Sequence, residues 1–239
     1  MNKYNLLSVI IPCFNEEKTI ESIILEVLSV NTSDINKEII IVDDHSTDNS
    51  LKILKGLEKK YKEVKVFKQD YNQGKGAALK LGFGVSKGDL VIIQDADREY
   101  DPRDYVKMIK LFKEDRADIV FGSRFSGGSP KRVVYLANKI ANKFMTRLSA
   151  ILSGLYVSDI HTCYIMFDGE WIRKNSKDLR SKQFGFNPEI VAKIASQKNN
   201  LRICEIGISY YGRTKTEGKK IGWKDGVEAI WDIFRFNIF

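Results

Sequence analysis

Short runs that are apolar along most of their length, separated by segments with helical spacing, constrain this chain more than any other feature. Leu6-Leu7-Ser8-Val9-Ile10-Ile11-Pro12, Glu38 to Val42, Val64 to Phe67 and Leu90 to Gln94 are such runs. A strand covered on both faces has no solvent side, so its sequence is apolar throughout rather than alternating. Between the runs, Glu16 to Val30 carries Ile20, Ile23, Ile24, Val27 and Leu28 at helical spacing. A second helix, capped by Ser46 or Thr47, is predicted through Leu57, and a third over Gly74 to Val85. This alternation predicts an α/β fold with a mostly parallel central sheet and helices on both faces.

Parallel strands present their carboxyl ends along one sheet edge, where ligands bind in open α/β sheets. Three polar clusters fall there: Pro12-Cys13-Phe14-Asn15-Glu16, Val42-Asp43-Asp44, and Asp95-Ala96-Asp97 with Glu99 close behind. Asp and Asn also favour turns, so any one cluster reads equally well as loop chemistry. With 17 aspartates among 239 residues, Asp-x-Asp arises about once by chance. Three clusters obeying the same rule point to one site. Two carboxylates at a strand end suit Mg²⁺ or Mn²⁺, which takes oxygen ligands and is commonly shared with substrate phosphates.

The second half is less regular. Ile119 to Arg124 is predicted as a fifth strand entering a glycine-rich loop, Phe125 to Arg132. A long helix, Val133 to Leu155, has Leu136, Ile140, Phe144, Leu148, Ile151 and Leu152 on one side, with Lys139, Lys143 and Arg147 interspersed. The terminal segment, Gly222 to Phe239, places Val227, Ile230, Trp231, Phe234 and Ile238 on one face beside Lys219, Lys220, Lys224 and Arg235. Both helices read either as docked against the domain or as lying on a membrane surface.

Composition narrows the setting. The net charge of +8 draws a protein toward phosphates of some kind, or only keeps a lysine-rich surface soluble. Cys13, Cys163 and Cys204 are widely spaced and form no Cys-x-x-Cys pair, which argues against a disulfide framework or a zinc site and fits a reducing, cytoplasmic setting. The amino terminus lacks the basic region and apolar core of a secretory signal. No apolar run approaches the roughly 18 residues a spanning helix needs.

The motifs Ser8-Val9-Ile10-Ile11-Pro12-Cys13-Phe14-Asn15-Glu16-Glu17, Val42-Asp43-Asp44-His45-Ser46-Thr47-Asp48, Gln73-Gly74-Lys75-Gly76, Asp95-Ala96-Asp97, Gly122-Ser123-Arg124-Phe125, Asp159-Ile160-His161-Thr162-Cys163-Tyr164, and Arg213 with Gly218-Lys219-Lys220 follow one another along nearly the whole chain. This set resembles the family-2 glycosyltransferases of the GT-A fold. Within them it is similar to dolichol-phosphate mannose or glucose synthases and their bacterial polyprenyl-phosphate counterparts. The resemblance implies a Rossmann-like GT-A catalytic domain over residues 1–220 and a basic amphipathic helix over 221–239 as a membrane-surface anchor. It implies that Pro12, Phe14, Glu16, Val42 and Asp44 hold the nucleoside, with Asp44 on the base. Asp95, Ala96 and Asp97 would face the nucleotide sugar, Asp95, Asp97 and Glu99 the metal, and Arg213, Lys219 and Lys220 the donor diphosphate. Arg124 and Arg132 correspond to positions that receive the acceptor phosphate, and Asp159 to one that orients the acceptor or a basic side chain. Asp97, Arg124, Asp159 and Arg213 are the expected catalytic set.

The implied reaction is inverting transfer of a hexose from UDP-glucose or GDP-mannose to polyprenyl or dolichyl phosphate. It would occur at the cytoplasmic face of a membrane, without nucleic acid, and leaves room for a separate membrane subunit. A phosphate monoester is already largely dianionic at neutral pH and needs no general base, whereas a hydroxyl acceptor does. Two alternatives remain: transfer to a glycan or protein hydroxyl, and a non-catalytic basic protein that binds membranes or nucleic acid. His161 reads as a hydrogen-bonded loop residue rather than a base, and Cys163 as a small buried residue. Three departures from the family pattern are visible: Phe14 for a common tyrosine, His45 for a frequent glycine or asparagine, and Ile165 where many relatives are basic or polar.

Overall fold

Hydrogen-bonded pairing of the apolar runs builds one seven-stranded sheet. The computed structural model describes residues 3–32, 34–132, 136–183, 185–214 and 223–238, with the side chains of 137, 138 and 223–225 outside that description. The strands are β1 (Leu6–Cys13), β2 (Asn36–Asp43), β3 (Val64–Lys68), β4 (Leu90–Ile93), β5 (Ile119–Ser123), β6 (Ile165–Asp168) and β7 (Ile203–Gly207). Their order across the sheet is β3-β2-β1-β4-β6-β5-β7. β6 is antiparallel to β4 and β5, and the remaining pairs are parallel.

Among the described residues eight α-helices cover the sheet: α1 (Ile20–Ser29), α2 (Ser50–Lys60), α3 (Lys75–Val85), α4 (Tyr105–Lys113), α5 (Leu136–Ser153), α6 (Gly169–Asn175), α7 (Phe186–Ser196) and α8 (Trp223–Ile238). Successive side chains on a strand point to opposite faces, so β1 and β2 feed two cores. Val9, Ile11, Ile39 and Ile41 pack with Ile20, Ile23, Leu54 and Met108 of α1, α2 and α4. Ile10, Ile40 and Val42 pack with Leu79 and Phe83 of α3 and with Ile190 and Ile194 of α7. Each fully buried side chain of this size contributes about 1.5–3 kcal/mol relative to exposure.

Several boundaries differ from the sequence expectation. α1 starts at Ile20 rather than Glu16, because the Glu16 carbonyl closes a turn by accepting from the amides of Thr19 and Ile20. α2 starts at Ser50, since Ser46 and Thr47 do not cap it. Ser46 Oγ instead accepts from Asn15 N, Thr47 N donates to Asn15 Oδ1, and Asp48 Oδ1 takes Ser50 N. Residues 46–48 thus brace the loop after β1. α4, whose Tyr105, Met108, Ile109 and Phe112 repeat at helical spacing, is absent from the sequence expectation, and in the second half β6, α6, α7 and β7 carry no strong periodic signal. β6 is four residues long, and its pairing with β4 and β5 is set by the sheet rather than by its own sequence.

α5 is inverted relative to an ordinary surface helix. Leu136, Ile140, Phe144 and Ile151 are 71%, 60%, 59% and 79% exposed. The buried side instead holds Asn142, Thr146 and Ser149, with Leu148 and Leu152 only partly buried against the core. At 3.6 residues per turn, the four apolar positions fall within about 80° of one another. α8 packs against α5 and α7, with Ile233 fully buried and Val227, Trp231 and Ile238 exposed. Of the expected α8 stripe, Ile230 and Phe234 are half-buried, and Ile233, which lay outside it, is the anchor.

The left-handed positions explain one departure in sequence. Asn15, His45 and Arg98 follow β1, β2 and β4 with φ of 52°, 61° and 60°. Glycine and asparagine enter that region most easily, histidine less so, which accounts for the Gly or Asn common where His45 stands. Ile165 is also explained: it opens β6, fully buried opposite Phe121. His45→Gly should be neutral or stabilising by up to about 1 kcal/mol, and His45→Val destabilising by about 1–3 kcal/mol. Urea unfolding of the three proteins checks the order, which a shared midpoint for Gly and Val would contradict.

Candidate active site

Four carboxylates meet two cations where β1 and β4 end. Asp95, two residues past β4, receives the Lys75 ammonium on Oδ1 at 2.5 Å. Asp97 and Glu99 sit in the following turn, where Glu99 N donates to Asp97 Oδ1 at 3.1 Å. Arg213 reaches in from beyond β7: Nη2 lies 3.0 Å from Asp97 Oδ2, and Nη1 and Nη2 lie 3.1 and 3.2 Å from the two Glu16 oxygens. Its backbone amide donates to Glu99 Oε1 at 2.6 Å. With Glu16, Asp95, Asp97 and Glu99 set against Lys75 and Arg213, negative charge is in excess among these described residues. Burial, then the charges of Asp95 and Glu99, push the Asp97 carboxyl up to about 7.

The residues expected to hold the nucleoside lie at the ends of β1 and β2 and on the loops that follow them. Val42 and Asp44 are buried, Glu16 nearly so, and Phe14 remains 37% exposed. Asp44 is tied to the chain itself: Oδ1 accepts from Gln73 N at 2.7 Å and Oδ2 from Gly74 N at 2.8 Å. Burial holds its pKa above the ordinary value despite those two bonds. This carboxylate therefore fixes the start of α3 and meets a ligand only through its remaining lone pairs. Gly74 adopts φ +93°, and a Cβ there would lie 2.3 Å from the Lys182 carbonyl. Gly76 similarly abuts the Ser181 carbonyl, so the two glycines let Lys75 enter the site between close-packed backbones.

On the other side of the cleft, Arg124 forms a two-point ion pair with Asp159, Nε to Oδ2 at 2.7 Å and Nη2 to Oδ1 at 2.8 Å. Asn142 of α5 donates to the same Oδ1 at 3.3 Å. Asp159 is fully buried. Burial alone would raise its pKa, but Arg124 more than offsets that and holds it below the usual carboxylate range. The pair uses the Nε edge of the guanidinium. Arg132 donates from Nη1 to the Gly212 carbonyl at 3.0 Å. Burial takes the His161 imidazole down to about 4, which keeps it neutral at ordinary pH.

Asp95, Asp97, Glu99, Glu16 and Arg213 are thus brought together, and Arg124 with Asp159 stands beside them. Glu99 turns its carboxylate to Tyr210 and to the Arg213 amide. Among the described residues no three His, Cys, Asp or Glu side chains form a metal-holding cluster. Lys219 and Lys220 lie outside the described residues, as does the expected 220/221 boundary. Lys75 carries no role in the sequence reading, although its flanking glycines were visible. It also lies 3.0 Å from Cys163 Sγ. Tyr210 and Asn142 gave no sequence signal.

The family model for glycosyl transferase family 2 matches residues 8–175. The UDP-N-acetylglucosamine–dolichyl-phosphate N-acetylglucosaminyltransferase of Methanococcus voltae is 30% identical, over 92% of each chain. A dolichyl-phosphate beta-glucosyltransferase of Trichomonas vaginalis is 23% identical, covering 98% of this chain and 73% of that protein. Among solved structures, glucosyl-3-phosphoglycerate synthase of Mycobacterium tuberculosis, crystallised with Mn²⁺, UDP and phosphoglyceric acid, superposes with a TM-score of 0.70 at 17% identity. That match covers 98% of this chain and 79% of the neighbour. Mannosyl-3-phosphoglycerate synthase of Rubrobacter xylanophilus gives 0.70 at 17%, covering 98% and 72%.

The raised Asp97 carboxyl has a measurable sign. The folded protein keeps a proton there that the unfolded chain, with a pKa near 3.9, releases. The stability it contributes is full below about pH 4, is lost as the pH rises to about 7, and is flat above. In EDTA, the stability of wild type relative to Asp97→Asn should fall across that window by at most about 4 kcal/mol, at 1.36 kcal/mol per pKa unit. A difference constant from pH 4.5 to 8 would mean an unperturbed carboxyl.

Proposed function

The chain belongs to glycosyl transferase family 2, and from that premise we propose that it moves a hexose from a nucleoside-diphosphate sugar to a polyprenyl or dolichyl phosphate. The observation that carries this reading is the Arg124–Asp159 pair. The carboxylate on the acceptor side is held low by a guanidinium, so it is a poor proton acceptor, and a hydroxyl nucleophile would need a good one. A phosphate monoester arrives already ionised and needs positive charge instead, which Arg124 supplies in a form suited to phosphate oxygens. The dolichyl-phosphate transferases among the relatives support the same acceptor.

On the donor side, the excess negative charge around Asp95 and Asp97 fits a divalent cation completed by substrate phosphate oxygens. Mg²⁺ or Mn²⁺ bound there would neutralise the departing diphosphate. Asp95 and Asp97 would hold it; Glu99, committed to Tyr210 and the Arg213 amide, would support it from the side. Arg213 would turn part of its guanidinium from Glu16 and Asp97 toward the diphosphate, placing positive charge where the leaving group becomes negative. Lys219 and Lys220 are proposed beside it. Attack by the lipid phosphate opposite the leaving group inverts the anomeric centre, and an α-linked product from an α-linked donor would exclude single displacement.

The lipid acceptor also gives the apolar exterior of α5 and α8 a purpose. Leu136, Ile140, Phe144 and Ile151, with Val227, Trp231 and Ile238, lie beside the exposed Lys139, Lys143, Arg147 and Arg235. Apolar side chains flanked by cations suit an anionic membrane surface. No helix among the described residues is long and apolar enough to cross a membrane.

Radiolabel from UDP-glucose, UDP-N-acetylglucosamine or GDP-mannose should enter an organic-extractable, mild-acid-labile product when polyprenyl phosphate and Mn²⁺ are supplied. Label confined to a water-soluble glycan would refute the acceptor. Asp97→Ala and Arg213→Ala should each lower kcat about 10²–10³-fold; retained turnover in Asp97→Ala would remove the metal assignment. Phe144→Glu with Trp231→Glu should reduce flotation with phosphatidylserine-containing vesicles at least several-fold while preserving nucleotide binding. Unchanged flotation would dismiss this face as the contact.

A further inference from the structure

We propose that Tyr210 is a positioning residue that joins the acceptor-binding guanidinium to the donor-binding one, so that the two substrates bind with positive coupling. The inference rests on the donor and acceptor sides assigned above. Tyr210 touches both. Its ring lies under Arg124, with Cζ 5.2 Å from the centroid, a distance at which the ring face attracts the cation. Its hydroxyl donates to Glu99 Oε2 at 2.9 Å. The other Glu99 oxygen accepts the Arg213 amide at 2.6 Å, and Arg213 in turn holds Asp97 and Glu16.

The surroundings keep the ring in place. Tyr100 packs against it with centroids 5.5 Å apart, and Tyr164 stacks on Tyr100 at 5.1 Å. The backbone of Tyr210 zips the two loops together: its amide donates to the Pro130 carbonyl, and its carbonyl accepts from Arg132 N. Tyr211 N donates to the Glu99 carbonyl. A Cβ at Gly212 would lie 2.8 Å from the Tyr210 ring, so the approach to Arg213 is shaped around this tyrosine. A phosphate drawn to Arg124 therefore pulls on a ring whose hydroxyl orients Glu99 and the Arg213 backbone. A diphosphate drawn to Arg213 acts back along the same contacts, and coupling of this kind must be equal in both directions.

Two variants separate the halves of the link. Tyr210→Phe keeps the ring under Arg124 and removes the hydroxyl; Tyr210→Leu removes both. Calorimetry would measure binding of UDP and of GDP with Mn²⁺, with and without farnesyl phosphate. In wild type, farnesyl phosphate should tighten nucleotide binding about 5–100-fold. Tyr210→Phe should weaken nucleotide binding about tenfold, leave farnesyl phosphate affinity unchanged, and reduce the coupling factor toward one. Tyr210→Leu should also weaken farnesyl phosphate. Nucleotide affinity within twofold of wild type in Tyr210→Phe, or a coupling factor unchanged in that variant, overturns the proposal. Failure of the acceptor reading looks different: wild type would bind nucleotide but not farnesyl phosphate, while the Tyr210→Phe loss of nucleotide affinity would still report the hydroxyl link to Glu99.

Discussion

Arg213 is the tie on which the arrangement of this cleft depends. It comes from the loop after β7, at one margin of the sheet, and reaches carboxylates on the loops after β1 and β4 near its centre. An isolated guanidinium in such a place would carry a heavy desolvation cost, and so would three neighbouring carboxylates without a cation. Each stabilises the other's burial. The loops that bear them meet at one point, where the carboxylate charge left over suits a divalent cation.

A second buried pair, Arg124 with Asp159, performs a different task with similar parts. Here one carboxylate meets one cation almost ideally, and Asn142 supplies a further donor. The side chains facing this pair from α5 must be polar, and that requirement inverts the helix. Asn142 and Thr146 turn inward to serve Asp159 and the Ile160 amide, while Leu136, Ile140, Phe144 and Ile151 are left outside. The polar contacts around Asp159 and the apolar exterior are thus two consequences of one helix orientation.

Much of the first half was legible in the sequence because its signals are local. Apolar runs too short for helices, three of the four ended by proline or aspartate, mark strands covered on both faces, and parallel connection then places every strand end at one edge. Pro12, Asp44 and Asp95 could be assigned to a common site on that ground. The second half was less legible for a physical reason. β6 runs antiparallel between β4 and β5, and its four residues carry no period that distinguishes a strand from a buried turn. Helix starts moved by a few residues where side chains such as Ser46, Thr47 and Asp48 bond across loops rather than cap their own helix.

The sequence by itself determined the parallel first half of the sheet, the edge at which the carboxylates gather and the family to which the motifs belong, since each follows from residue type and spacing within a few turns of chain. Tertiary structure alone decided how those groups are used. It set Lys75 against Asp95 and Cys163, bound Asp44 to the Gln73-Gly74 backbone, turned Glu99 to Tyr210 and Arg213, and put the apolar stripe of α5 outside. These are contacts between residues up to a hundred or more positions apart. Their pairing is fixed by which buried charge can find compensation in the closed fold, a condition that no local pattern records.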